Sequence, residues 1–201
     1  VTGAPTLLGV DLAARARSLD PSLLALARSL RDALRPLEQR PFPVPATKAM
    51  LTRHGGRCRE DGTPLRFDPW SPHHHACPRC ARVFQGDDHD AWWALGAQMW
   101  CAERTVHAAL LGALGDDPAL TALAARGLAS LGEAWPRYPD RDNALGPTRP
   151  FFSTYLESAW LLLVSLATHC LDRQPAHATL LSRLRDEVIA PSRALIASFP
   201  E

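Results

Sequence analysis

This chain lacks any apolar run long enough to span a bilayer. The longest, Ala159 to Ala167, is broken by Ser165 and falls well short of the roughly 20 residues that a transmembrane helix needs. An excess of positive charge is missing too. Lys and Arg number 22 against 21 Asp and Glu, a net charge of +1, so no broad basic field for nucleic acid is expected. There is no glycine-rich phosphate loop, no G-x-S-x-G elbow and no H-E-x-x-H helix, which removes the usual nucleotide, serine-hydrolase and zinc-protease signatures. The N-terminus does not follow the basic, apolar, small-residue order of a secretory leader. Val1 as first residue and the plain Phe199-Pro200-Glu201 ending lead to the expectation of a piece of a longer protein. Cysteines are few and odd in number, five in all. That speaks against a disulfide framework and for metal binding plus buried thiols in a reducing compartment, with the cytoplasm as the expected one.

What is present divides the chain into three stretches. With 201 residues, 46% hydrophobic and 21% charged, the chain has the composition of an ordinary globular protein of one or two domains. Residues 1–45 form an N-terminal helical segment. Helical character is expected from residue 6 to residue 40, with Asp20-Pro21 as N-cap and first helical residue, and with Leu23, Leu26, Leu30, Leu34 and Leu37 at helical spacing. Pro41-Phe-Pro-Val-Pro45 then breaks regular structure. Residues 46–86 are rich in Gly, Pro, Cys and His, with short extended pieces expected at Leu65–Phe67 and Arg82–Phe84. Such a segment has little apolar material of its own to fold on. Residues 87–201 read as helices joined by short loops: one to about Leu114, one from Pro118 to Trp135, one from Phe151 to Asp172, and a last stretch from Ala176 to Ser198 interrupted at Pro191.

The middle stretch carries the clearest chemistry. Cys77-Pro-Arg-Cys80 is a C-x-x-C knuckle, a turn that aims two thiolates at one tetrahedral metal ion. Cys58-Arg-Glu-Asp61-Gly62 repeats the frame with Asp in the second ligand position, and fifteen residues separate Asp61 from Cys77. Cys58, Asp61, Cys77 and Cys80 are therefore the candidate ligands of a structural Zn²⁺. His54, His73, His74 and His75 compete for the fourth place, because imidazole is a commoner zinc ligand than carboxylate. The alternative is a degenerate hairpin that no longer holds metal.

Two further constellations stand in the helical part. His89, Trp93, Trp100 and His107 share a stripe, with Trp92, Glu103 and Arg104 beside it. Indole faces suit sugar rings, but tryptophans seven residues apart are more simply core anchors of a helix pair, and Glu103 with Arg104 more simply an ion pair. The loop Arg137 to Arg149, continued by Phe151 to Glu157, gathers Arg141, Asn143, Arg149, Tyr155 and Glu157. These groups suit an anionic or hydroxyl-rich ligand, and they equally suit a loop tied down by its own ion pairs. Cys101 and Cys170 lie in apolar helical contexts and read as buried thiols.

Three passages, GTPLRFDPWSPHHHACPRCARVF, DDHDAWWALGAQMWCAERTVHAALL and RYPDRDNALGPTRPFFSTYLESAWLLL, together resemble the bacterial heparinase II/III-like polysaccharide lyases. The resemblance covers roughly residues 50 to 165 and departs from the family's C-x-x-C-G knuckles at Asp61 and Ala81. It implies an all-α chain, a partial α/α toroid of helical hairpins with a small zinc-ribbon-like β insert. It further implies a carbohydrate-binding enzyme that acts on an acidic polysaccharide by β-elimination, with neither nucleic acid nor membrane as partner. The family's Asn that neutralises a uronate carboxylate, and its Tyr and His acid and base, are expected beyond Glu201, so no catalytic residue is assigned here. The loop with Arg141, Asn143, Arg149, Tyr155 and Glu157 is expected to border the substrate cleft. The rival expectation is a non-enzymatic helical scaffold whose zinc hairpin, ringed by Arg57, Arg59, Arg66, Arg79 and Arg82, binds protein or nucleic acid.

Overall fold

Helices that are apolar along one stripe must bury it against another helix, and here the longest of them serves as the common partner. In the computed structural model the described residues are 6–7, 10–11, 21–141, 145–172 and 174–199. Two short strands, β1 (Thr6–Leu7) and β2 (Val10–Asp11), pair antiparallel with Thr6 opposite Asp11. The helix expected from residue 6 is thus replaced over these residues by extended chain, in keeping with the β-branched Thr6 and Val10. Asp20, the expected N-cap, lies outside the described residues. Helix α1 runs Pro21–Gln39. Strands β3 (His75–Ala76) and β4 (Val83–Phe84) form a second antiparallel pair, with His75 opposite Phe84. Arg82–Phe84 is thereby largely extended as expected, but its partner is His75–Ala76. Leu65 and Arg66 contribute single hydrogen bonds, Leu65 N–H to the Gly56 carbonyl and Arg66 N–H to the Ala76 carbonyl, both 2.8 Å.

The helical body follows. Helix α2 spans Asp87–Gly115 and α3 spans Pro118–Ala134, continued by a 3₁₀ turn at Trp135–Arg137. Asp116 turns the chain in the left-handed conformation, and Asp117 then caps α3 by accepting from the Ala119 and Leu120 N–H groups at 3.0 and 3.2 Å. Helix α4 is Thr154–Leu171. The last stretch is α5 (Ala178–Leu184), a π turn over Arg185–Ile189, and α6 (Ala190–Ala197). The interruption expected at Pro191 takes this form: proline has no N–H to offer the carbonyl four residues back, and the ladder widens just before it.

Helix α2 packs on α1, α3 and α4, and the C-terminal helical stretch closes over α3 and α4. The core runs through Leu34 and Leu37 of α1, Trp93, Ala97 and Cys101 of α2, and Leu128 and Leu131 of α3. Trp160, Val164 and Leu171 of α4 complete it with Leu181, Leu184 and Val188. The protein is therefore mostly helical, with small two-stranded sheets. No described helix is long and apolar enough to cross a membrane.

Candidate metal centre

The two knuckles are built by the same local hydrogen bonds. The Cys58 N–H donates to the Thr63 carbonyl and the Gly62 N–H to the Cys58 carbonyl, at 2.8 and 2.9 Å. Nineteen residues later the Cys77 N–H donates to the Arg82 carbonyl and the Ala81 N–H to the Cys77 carbonyl, at 2.8 and 3.0 Å. Each loop must turn through the left-handed region immediately after its second ligand position, at Gly62 with φ 71° and Ala81 with φ 60°. Glycine enters that region freely, while a Cβ costs roughly 1–2 kcal/mol there. In this frame Asp61 is the counterpart of Cys80.

One ligand atom from each of Cys58, Asp61, Cys77 and Cys80 lies within 4.8 Å of all the others. The Cys58 and Cys80 sulfurs are 3.7 Å apart. Zn–S bonds of about 2.3 Å in a tetrahedron place sulfurs about 3.8 Å apart, so this pair has the span that such an ion requires. The cluster is near enough to hold a metal ion. Among the described residues no histidine joins it. His73 and His75 both turn to Asp90, at 2.6 and 3.0 Å.

Hydrogen bonds and burial move the acidities of these groups in different directions. Backbone N–H groups of Cys80 and Arg79 point at the Cys77 sulfur, at 3.5 and 3.4 Å, and hold its thiol below the usual range despite burial. Burial pushes the Cys58 thiol up to about 11, and its hydrogen bond to the Asp61 carboxylate adds to the rise. The Thr63 N–H and the same Cys58 bond hold the Asp61 carboxyl down. A metal cation would take the place of the proton that Cys58 shares with Asp61, and acid would oppose its binding.

The hairpin is seated on the first two turns of α2. Asp88 accepts from the Thr52 hydroxyl at 2.9 Å, and His89 Nδ1 accepts from the Gly56 N–H at 3.3 Å. Asp90 receives both His73 and His75. Trp92 meets Phe67 and His75 edge to face, and the Trp93 indole donates to the Asp68 carbonyl at 2.8 Å. Gly55 and Gly56 permit this approach, since a Cβ on Gly56 would stand 2.4 Å from the Trp92 indole. Asp88 and Asp90 are thus committed to docking rather than to capping the helix they open, and the N-cap Gly86 makes no side-chain bond.

Of the aromatic stripe, Trp93 is buried in the core, while half-buried Trp100 stacks edge to face on Trp70 with centroids 5.4 Å apart. Arg104 contacts Glu103 at 3.9 Å and lies over the Trp100 ring. Burial pushes up the Cys101 and Cys170 thiols, which keeps them from acting as thiolates.

The loop at 136–150 is held from below. Lys48, the single lysine of the chain, is buried and donates to the carbonyls of Pro139, Arg141 and Thr148 at 2.9, 3.0 and 2.7 Å. A tetrahedral ammonium can donate to three carbonyls that share no plane with it, whereas a guanidinium donates only within its own plane. Sequence reasoning passed over Lys48; its singularity in an arginine-rich chain was the available signal. The Arg149 guanidinium donates to the Tyr138 carbonyl at 2.8 Å, pairs with Asp140 at 3.4 Å and lies over the Trp135 ring. Glu157 is fully buried, accepting from the Arg149 N–H at 2.7 Å and the Ser192 hydroxyl at 3.0 Å. Arg141 is exposed, as is Tyr155 at 79%. Asn143 lies outside the described residues. The structure therefore joins Arg149 and Glu157 and sets Arg141 and Tyr155 on the surface.

All five arginines of the rival expectation are exposed, but Arg79 pairs with Asp61 at 4.0 Å and Arg82 with Glu60 at 2.5 Å. No family model, no curated protein and no solved structure matches this chain.

Proposed function

We propose that the chain is the N-terminal region of a heparinase II/III-like polysaccharide lyase that cleaves a uronate-containing polysaccharide by β-elimination. One observation above the rest supports this reading: a metal-ready hairpin docked on the opening turns of a long helix, with further helices packed beside it. That is the order in which the resemblance arranges the pieces, with the hairpin as a zinc-ribbon-like insert and the helices as the first hairpins of an α/α toroid. The metal is zinc and its role is structural. Three thiolates and the Asp61 carboxylate would fill a tetrahedron and leave no position for a reacting water. Bound there, zinc supplies cross-linking in place of the apolar core that the hairpin lacks.

In β-elimination a base takes the proton on the carbon bearing the uronate carboxylate, and the electrons expel the glycosidic oxygen from the neighbouring carbon. A neutralising donor at the carboxylate lowers the barrier to the enolate. On this reading the Asn, Tyr and His that perform those steps stand on later helices, and no residue of this chain is catalytic. The loop at 136–150 borders the cleft, with Arg141 and Tyr155 outward and with Arg149, Glu157 and Lys48 fixing its shape.

The test is direct. Protein expressed from the complete reading frame, incubated with acidic polysaccharides, is expected to release unsaturated uronate products that absorb in the ultraviolet. If a frame bearing the Asn, Tyr and His helices yields no such product from any of them, the lyase reading fails. Elemental analysis of unstripped protein is expected to find one zinc per chain, lost in Cys77→Ser, and metal-free wild type would overturn the zinc assignment.

A further inference from the structure

Beside the metal centre lies a cleft of about 460 Å³, lined by Arg53, His54, Arg57, Arg59 and Asp88 together with Cys58 and Gly62. That volume falls within the roughly 300–1,000 Å³ of ordinary ligand pockets. Its charge is uneven. Three guanidiniums and an imidazole face a single carboxylate, and that carboxylate already accepts from the Thr52 hydroxyl on one oxygen. Arg53 and Arg59 make no ion pair among the described residues, and Arg57 spends only one N–H, on the Gly62 carbonyl at 3.2 Å. Two other exposed arginines of the hairpin differ: Arg79 and Arg82 are each engaged by an acid of the first knuckle. Exposed like charges repel and are normally dispersed or paired, so a concave group of unpaired guanidiniums has the form of an anion receptor.

We infer that this cleft binds the carboxylate-bearing sugars of an acidic oligosaccharide, at a subsite separate from the loop at 136–150. The choice of ligand rests on the proposed polysaccharide-lyase reading and on two features of the lining. Asp88 keeps an acceptor for sugar hydroxyls, which a chain of phosphates would not use. No Phe, Tyr or Trp lines the cleft, so it lacks the large aromatic platforms on which successive bases of single-stranded nucleic acids stack. The arginines sit on the first knuckle and on the turn fastened to Asp88 and His89. Their spacing is therefore set by the metal hairpin, and ligand binding is coupled to metal binding.

Calorimetric titration of the zinc-loaded protein tests this with a defined uronate hexasaccharide, a neutral hexasaccharide and a single-stranded oligonucleotide of equal charge. The uronate is expected to bind and the neutral sugar not to bind. Arg53→Glu with Arg59→Glu should weaken the uronate about tenfold or more, as lost charge-assisted contacts imply. Arg66→Glu with Arg82→Glu carries the same charge change on the same hairpin outside the cleft and should alter it less than about twofold. Equal weakening by the two pairs, absence of uronate binding, or tighter binding of the oligonucleotide would each overturn the inference. In the complete frame the cleft pair should raise KM and leave kcat near wild type. Cleft-dependent binding without any elimination would sink the lyase reading alone, and elimination with a KM indifferent to the cleft pair would sink the cleft alone.

Discussion

The hairpin and the helical body hold their shapes by different means. In the body, α2, α3 and α4 bury a continuous set of leucines, alanines and tryptophans, and removal of apolar surface from water is the main stabilising term. In the hairpin the buried apolar cluster is Cys58, Leu65 and Cys77, with Phe84 and Trp92 packed against it. Two of its three buried members are ligand candidates, and Trp92 belongs to the body. A segment with so little apolar interior requires a cross-link or a scaffold; the first turns of α2 supply the scaffold on one side, and on the other stand four residues near enough for a metal ion to cross-link.

The largest effect is expected from taking away the metal that the cluster would hold. Chelation, or Cys77→Ser, is expected to accelerate amide exchange in residues 56–84 by orders of magnitude while leaving α3 and α4 protected. Equal loss of protection in both regions would show that the body depends on the hairpin. The converse cut is Leu128→Ala, in the fully buried centre of α3. It should cost about 2–5 kcal/mol in denaturant unfolding of the body, with metal affinity of the native protein unchanged.

Glu157 sharpens the contrast, because it brings a charge into the apolar region. Glu157→Ala would leave the Arg149 N–H and the Ser192 hydroxyl without their acceptor, at an expected cost of about 3 kcal/mol. Burial pushes this carboxyl above its ordinary 4.5, against the pull of the Arg149 N–H. The folded chain therefore holds the proton more tightly than the unfolded chain. Its contribution is fully present below 4.5 and is lost as pH rises through the folded value. Denaturation at a series of pH values should show that decline in wild type and a flatter profile in Glu157→Gln.

The smallest effect concerns the two knuckles. Ala81→Gly should relieve about 1 kcal/mol of left-handed strain, seen as several-fold tighter metal binding in competition with a chelator. Gly62→Ala should weaken binding by a similar factor, and asymmetry between the two would show that the knuckles are not equivalent.

Much of the helical body was legible because its signals are local. Leucines at helical spacing and the break at Pro191 each act within a few residues, and α2 ends and α3 begins close to the expected Leu114 and Pro118. The knuckle frame was legible for the same reason, since Cys58, Asp61, Cys77 and Cys80 take their places from turns five residues long. Local signals were weaker at the N-terminus, where pairing of Thr6–Leu7 with Val10–Asp11 overrode the helical spacing.

Tertiary structure alone decided what depends on groups distant in sequence. His73 and His75 stay out of the cluster because Asp90, far along the chain, engages both of them. Asp88 and Asp90 became docking groups because the hairpin folds back on α2, which no N-cap rule anticipates. Lys48 met the carbonyls of a loop some ninety residues away, and Arg149 turned inward onto Trp135. The sequence by itself determined which short segments could be helices and knuckles, through spacing and backbone preference. Only the folded chain determined which polar groups would be buried together, because each such burial requires a partner supplied from elsewhere in the chain.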